Sequence, residues 1–465
     1  MAGIVGLERA DKKFVKRMLS QISHRGDHGS KIIQQDGMTI GAVWPDAQLS
    51  PVPGILNNKA VWDANQPPIP DQSNLQQAHE PFTLASLAKT GELFVARDAL
   101  GVNPLYFSYT ESGDFCFASE VKALLEVSND IREFPPKTWY SSQDGFHEFP
   151  GFDNDVGIQE QNMDEIAMGL QMRLDQAVCK RINRPEIGAW LSGGLDSSAI
   201  VGLIRPHAVV LHTFAAGMRG ASDLVFAREV ADYFNTQHHE IIITMPEVLK
   251  VLPEVIYHLE SFDALLVRST ITNYLVASKA AEYVKTSFSG EGADELFAGY
   301  SHFLNIPEED IDQEMQQLTQ SLHNTALQRV DRSAAAHGLV VHVPFLDPDV
   351  VAYAQAIPAS LKLKRQPKTI EKYILRKALE GILPKSVLWR KKTKFWQGTG
   401  LGELLSDHAR NAISDADFSQ ERMLPNGWQL NTKEELFYYR IFKSHFSDLE
   451  KLDWMGRTQN APVEE

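Results

Sequence analysis

The stretch IGAWLSGGLDSSAIVGLI, residues 187–204, constrains this chain more than any other segment. An apolar run ends at Leu191, Gly193 and Gly194 follow, and an apolar helical pattern begins near Ser197. Adjacent glycines let backbone N–H groups come close to a ligand, and a helix N-terminus favours an anion there. Ser192, Ser197 and Ser198 supply hydroxyl donors suited to phosphate oxygens. Asp196 would repel a lone phosphate, so its expected task is to hold Mg²⁺ between carboxylate and phosphate. The loop lacks the Lys of a Walker-A sequence, and its glycine spacing is wrong for a dinucleotide fingerprint.

Around this loop the chain alternates strand and helix patterns. EIGAWL and AVVLHTFAAG read as strands, and DLVFAREVADYF reads as a helix between strands. MDEIAMGLQMRLDQAVCKRI (163–182) has helical spacing with Ile166, Leu170, Leu174 and Val178 on one face. Alternation of this kind predicts a parallel α/β sheet. Residues 1 to about 155 look different, with short apolar stretches broken by Gly, Pro, Asn and Asp. MTIGAVW (38–44), GELFVARD (91–98), NPLYFSYT (103–110) and DFCFASE (114–120) suit a β-rich domain. DGFHEFPGFDNDVG (144–157) reads as a linker, which divides the chain into domains 1–157 and 158–465. Beyond 300 the pattern is mainly helical, and TQNAPVEE reads as a frayed end.

Bulk properties narrow the partners. A formal charge of -15 argues against a nucleic-acid binder and favours a small-molecule substrate. No apolar run reaches bilayer length, so no membrane partner is expected. The first residues lack the apolar core of a signal peptide, and two cysteines, Cys116 and Cys179, suit a reducing compartment. A cytoplasmic protein is expected.

A second segment, KTSFSGEGADELFAGY (285–300), places Ser289 and Gly290 at another strand end before Glu291, Asp294 and Glu295. Three carboxylates within five residues repel one another unless a cation or basic group offsets them. Following an apolar strand and flanked by glycines, they read as part of a metal and phosphate site.

SGGLDSS is similar to the pyrophosphate loop of enzymes that split ATP into AMP and pyrophosphate. With SGEGADELFAGY, VPFLD (343–347), EKYILRKAL (371–379) and RKKTKFWQGTG (390–400), the chain resembles glutamine-dependent asparagine synthetases and the related β-lactam synthetases. The N-terminal half matches more weakly, through HRG (24–26), RDALGVNPLY (97–106) and ASEVKAL (118–124). The resemblance implies an Ntn-hydrolase-like αββα domain followed by a PP-loop parallel α/β domain with a helical C-terminal part. It implies ATP and Mg²⁺ as cofactors and an amino-acid-like substrate whose carboxylate is adenylated before an amine displaces AMP. By the same resemblance Leu191, Ala216, Ser289 and Gly290 line the nucleotide pocket, and Asp196 and Asp294 hold Mg²⁺-pyrophosphate. Glu291 stands near the adenylated intermediate, and Lys392 steadies negative charge. Glu371 and Lys372 open a predicted helix with the apolar stripe Ile370, Ile374 and Ala378. Glu371 is expected either to have a partner or to act as a base; Lys372 is either solvated or part of the site. A homodimer is compatible with all of this.

Several positions depart from the family pattern. The residue after Met is Ala2, where glutamine-hydrolysing members carry the Cys nucleophile, and a mature chain beginning at Ala2 is expected. WDANQP (62–67) has Asp63 and Asn65 where the family has Asn and Glu in a glutamine-binding stretch. WPDAQLS (44–50) offers no counterpart of a family arginine, and HRGPD has become HRGDH. Together these losses predict a scaffold without glutaminase activity. In the second half Arg268 is kept and is expected to pair with a carboxylate, but Leu265 and Leu266 replace two threonines, which suits a longer or less polar substrate. Val340 and His342 replace a Glu and an Arg, consistent with a lost ammonia path. Three readings follow: an amide synthetase that closes a ring with the substrate's own amine, an ammonia-dependent synthetase, and an inactive nucleotide-binding regulator. The first accounts for both the head and the leucines.

Overall fold

The computed structural model describes the chain except residues 1, 46–59, 65–74, 76–77, 79, 89–90, 153–156, 159–161, 367, 391–400, 448, 450 and 459–465. Its N-terminal part is two antiparallel sheets. The first has the order β2-β3-β1-β8-β7-β9, from β1 (Gly3–Leu7), β2 (Gly29–Gln35), β3 (Met38–Trp44), β7 (Tyr106–Tyr109), β8 (Phe115–Ala118) and β9 (Arg132–Glu133). The second has the order β11-β10-β6-β5-β4, from β4 (Ala60–Asp63), β5 (Thr83–Leu87), β6 (Leu93–Arg97), β10 (Thr138–Ser141) and β11 (Gly145–Glu148).

Every residue of β1 and β3 is buried, because both faces of the first sheet are covered. One face meets the second sheet through Ile4, Ile40, Val61, Val95 and Phe117, with Phe115 stacked on Tyr140 at 3.8 Å. The other meets the helix Lys12–Gln21, which buries Val15, Met18 and Leu19 and is started by Asp11 accepting from the Phe14 N–H at 2.8 Å. The expected linker at 144–157 is corrected here. Its first residues form β11, paired antiparallel with β10 from Thr138↔Glu148 to Ser141↔Gly145. An edge strand can remain half-exposed and polar, so its composition reads like a loop.

The C-terminal part is built on a parallel sheet of order β14-β13-β12-β15-β16, from β12 (Glu186–Trp190), β13 (Val210–Met218), β14 (Gln237–Ile243), β15 (Thr286–Phe288) and β16 (Val340–His342). This is the α/β architecture expected, with helices over most of the chain beyond 300. The helix Met163–Cys179 opens with an Asn162–Glu165 capping box and buries Ile166, Leu170, Leu174 and Val178. Each such aliphatic side chain contributes about 1.5–3 kcal/mol when removed from water. Strand order reverses at β12, since β13 lies on one side and β15 on the other. In such a sheet the loops leaving the two diverging strands open a crevice where ligands bind. Among the described residues no helix is long and apolar enough to cross a membrane.

Candidate active site

The loops after β12 and β15 line one cavity of about 710 Å³. Leu191, Ser192, Gly194, Asp196 and Ser197 come from the first loop, Ala216 from β13, and Ser289, Gly290, Glu291 and Asp294 from the second. The first loop is held by its own hydroxyls. The Ser192 N–H donates to Ser197 Oγ at 3.2 Å, and the Gly194 N–H donates to Ser192 Oγ at 3.3 Å. The helix Leu195–Ile204 starts at Gly194 with no side-chain cap, so its first N–H groups are left for a ligand. Gly193 has φ +71°, and a Cβ there would lie 2.5 Å from the Ala227 nitrogen. Gly193 and the fully buried Ser198 do not reach the wall, so Ser198 is not placed as the phosphate donor it was expected to be. Arg390, itself on the cavity wall, braces the loop. It donates to the Gly193 carbonyl at 3.0 Å, pairs with Asp223 at 3.2 Å and lies 3.6 Å from the Phe226 ring centroid.

Lys372 joins the two loops. Its Nζ stands 2.6 Å from both Asp196 carboxylate oxygens and 2.5 Å from Asp294 Oδ1. The residue is buried, not the solvated helix-edge lysine that spacing allowed. It adopts φ +55° just before the helix Tyr373–Ala378; the predicted helix therefore starts two residues later than Glu371, and this bend turns the ammonium into the crevice. Burial disfavours the charged amine, but Asp196 and then Asp294 outweigh it and hold its pKa above the ordinary value. Gly299 keeps the space open: a Cβ there would fall 2.2 Å from Lys372 Cε and 2.0 Å from Asp294 Oδ1. Carboxylates from both loops thus converge on one positive centre, and this all-oxygen donor set fits a magnesium ion shared with phosphate oxygens.

The remaining carboxylates each have a different partner. Glu291 pairs with Arg329 at 2.5 Å. Glu371 pairs with Arg376, whose Nε also donates to the Glu371 carbonyl at 2.9 Å. Glu295 is buried and accepts from the Tyr300 hydroxyl. Burial first, and the neighbouring Asp294 second, push the Glu295 carboxyl up to about 7. Glu291, Glu371, Arg329, Arg376 and Tyr300 all border the cavity. No spacing marks Arg329 as the partner of Glu291 or Tyr300 as that of Glu295, although Tyr300 closes the segment 285–300.

One expected residue stands elsewhere. Arg268 is not on the cavity wall. Its guanidinium grips Glu434, 2.7 Å from Nε to Oε1, and donates to Ser406 Oγ at 2.5 Å. The carboxylate it was expected to pair with is the protein's own, from the helix Lys433–His445. Lys392 lies outside the described residues. Leu265 and Leu266, one turn before Arg268, do line the cavity, and Ser269 and Thr272 lie beside them.

Where the head's nucleophile would be, the described residues are closely packed. Ala2 is 2% exposed, and its N–H donates to Asp63 Oδ1 at 2.9 Å. Arg25, fully buried, donates to the Ala2 carbonyl at 2.8 Å, to Glu120 at 2.7 Å, and through both terminal nitrogens to Asp331 at 2.9 and 2.8 Å. Asp331 belongs to the helix Ala326–Ala335 of the synthetase half, which also carries Arg329 to Glu291. Next to it, Arg332 donates to Glu260 at 2.9 Å. Glu260 in turn accepts from the Val121 and Lys122 N–H groups at 3.0 and 2.8 Å, capping a short head helix. Asn65 and residues 46–50 of the second glutamine-site stretch lie outside the described residues. Val340 and His342 stand on β16, with the His342 ring 5.2 Å from that of Phe288.

Fold and site together define a phosphate-loop α/β domain carrying an antiparallel two-sheet head. The chain belongs to the asparagine synthase family: the model of that family matches residues 169–310 and 304–462, and the glutamine amidotransferase domain model matches 74–141. A probable glutamine-hydrolysing asparagine synthetase of Dictyostelium discoideum is 34% identical over 406 residues, 79% of this chain and 72% of that protein. Asparagine synthetase B of Escherichia coli K12 is 34% identical over 377 residues, 76% of this chain and 67% of that protein. Asparagine synthetase 2 of Lotus japonicus is 35% identical over 386 residues, 77% and 64% of the two chains. The aligned part of this chain therefore spans about two thirds of these relatives.

Proposed function

We propose that this chain is an ATP-dependent carbon–nitrogen ligase that uses an amine already present on its substrate. A substrate carboxylate attacks the α-phosphorus of ATP, giving an acyl-adenylate and pyrophosphate. The substrate's amine then attacks the acyl carbon, AMP leaves, and the amine's proton is lost. Family membership supports the ATP-dependent ligase chemistry, and the joining of the phosphate loop and the acidic loop at Lys372 is the observation that carries it.

The chain's own groups divide this work. N–H groups at the start of the helix Leu195–Ile204 face the pyrophosphate. Lys372 offsets the charge of Asp196 and Asp294 and remains cationic beside the departing phosphates. Asp196 and Asp294 would hold Mg²⁺, which when bound neutralises phosphate charge. Glu291, oriented by Arg329, borders the cavity, and the family resemblance assigns it to the adenylated intermediate. Leu265 and Leu266 favour a substrate longer or less polar than aspartate.

The nitrogen source is argued from the head. Ala2 carries no nucleophile, and Arg25, locked onto Asp331 and Glu120, fills the interior behind it. Free ammonia is the second reading, favoured by identity to asparagine synthetases. Pyrophosphate release across a panel of amino acids, with and without ¹⁵N-ammonia, followed by mass spectrometry, separates them. Loss of one water without label supports the proposal; label uptake establishes amidation, and no turnover with any acid overturns both.

A further inference from the structure

Away from the cavity, three ligand-bearing side chains meet on the opposite end of the phosphate-loop helix. Asp175 and Cys179 lie one turn apart on the helix Met163–Cys179. His207 lies in the turn after the helix Leu195–Ile204, with its N–H bonded to the Ile204 carbonyl at 2.9 Å. One donor atom from each of the three falls within 4.8 Å of the others. Among the described residues no other trio of this kind is present.

The hydrogen bonds set the roles. His207 Nε2 stands 2.7 Å from Asp175 Oδ1, and a carboxylate only accepts, so Nε2 carries the ring proton. The Nδ1 lone pair is thereby turned toward Cys179 Sγ, 3.3 Å away. A lone pair and a sulfur at this separation match two ligands of one tetrahedral zinc: bonds of about 2.0–2.1 Å to nitrogen and 2.3 Å to sulfur put them about 3.5 Å apart. A carboxylate on the far nitrogen of the ligating imidazole is the usual second partner in such sites.

We infer that Cys179 and His207, oriented by Asp175, form a surface site for a thiophilic divalent cation of the Zn²⁺ class. Binding exchanges the thiol proton for the metal: Zn²⁺ and the Cys179 thiol give a zinc thiolate and a released proton. Waters complete the coordination, since Cys179 and His207 are exposed. The helices Met163–Cys179 and Leu195–Ile204 pack together, so the metal clamps the far end of the helix whose N-terminus faces the nucleotide.

The test uses the full-length chain and zinc ions alone. Cys116 is fully buried and its thiol is pushed up to about 12 by burial, so Cys179 is the thiol that dithionitrobenzoate titrates in the folded protein. Micromolar Zn²⁺ is expected to slow that reaction at least tenfold and to release about one proton per chain. His207→Ala should keep a reactive thiol and lose the protection, whereas Asp175→Asn should weaken zinc binding by about 10–100-fold. Co²⁺ in place of Zn²⁺ should give a thiolate-to-cobalt charge-transfer band that Cys179→Ser abolishes. An unchanged thiol rate in the presence of Zn²⁺, or equal protection in His207→Ala, overturns the assignment. None of these readouts depends on the ligase activity.

Discussion

Arg25 and Lys372 are both pinched between carboxylates, and they serve opposite ends. In the head, Arg25 is enclosed by Asp331, Glu120 and Asp63, and all four groups are shut away from water. In the crevice, Lys372 is equally buried, but the Asp196 and Asp294 side chains keep 24% and 23% of their exposure. A charge cluster shut away from water keeps its carboxylates engaged with Arg25 and acts as structure. A cluster closed on one side and open on the other holds its charges ready for an incoming anion or cation.

That contrast can be broken at four points. Arg25→Ala should have the largest effect: Asp331 loses its bidentate partner and Asp63 its buried cation, while Glu120 keeps Lys122 and Arg332, and stability should fall by about 3–5 kcal/mol in urea unfolding. A loss below 1 kcal/mol would mean that the closed cluster is not structural. Lys372→Met should leave the fold intact and lower the rate of pyrophosphate release by about 10²–10³, the usual cost of removing one preorganised charge. An equal loss of folding stability would erase the distinction between the two clusters.

Glu295 gives a pH signature. Its carboxyl is raised to about 7 from the ordinary 4.5, so the folded state holds a proton that the unfolded chain has released. Its contribution to stability is full below pH 4.5 and is lost as pH rises through about 7. Glu295→Gln should flatten the urea midpoint across that window; an unchanged slope assigns the proton to another group. The smallest effect is expected from Ala2→Cys. Restoring the sulfur alone should release no glutamate from glutamine, because Arg25 still fills the space behind it. Glutamate release by this variant would show that the head needs only its nucleophile.

Much of this molecule was legible in one dimension. The strand-turn-helix at 187–204 and the strand end at Ser289-Gly290 are local patterns, and local patterns survive folding. The burial of Ile166, Leu170, Leu174 and Val178 followed from period alone. What failed was pairing over distance. Arg268 finds Glu434, 166 positions away, and Arg25 finds Asp331, 306 positions away. No spacing rule encodes such partners. Lys372 was undecidable because its role depends on one left-handed backbone step, which a lysine rarely takes. The strand β11 was hidden by its exposed edge.

The helix Ala326–Ala335 has a consequence for how such a gene can change. Arg329 on one turn orients Glu291 in the crevice, while Asp331 and Arg332 on the next are neutralised by groups that include Arg25 and Glu120 of the head. A change at Ala2 leaves these counter-ions in place. A deletion that removed the whole head would strip charge from the helix that serves the ligase. Loss of glutamine chemistry in the head would therefore leave the ligase helix its counter-ions, whereas excision of the head would remove them.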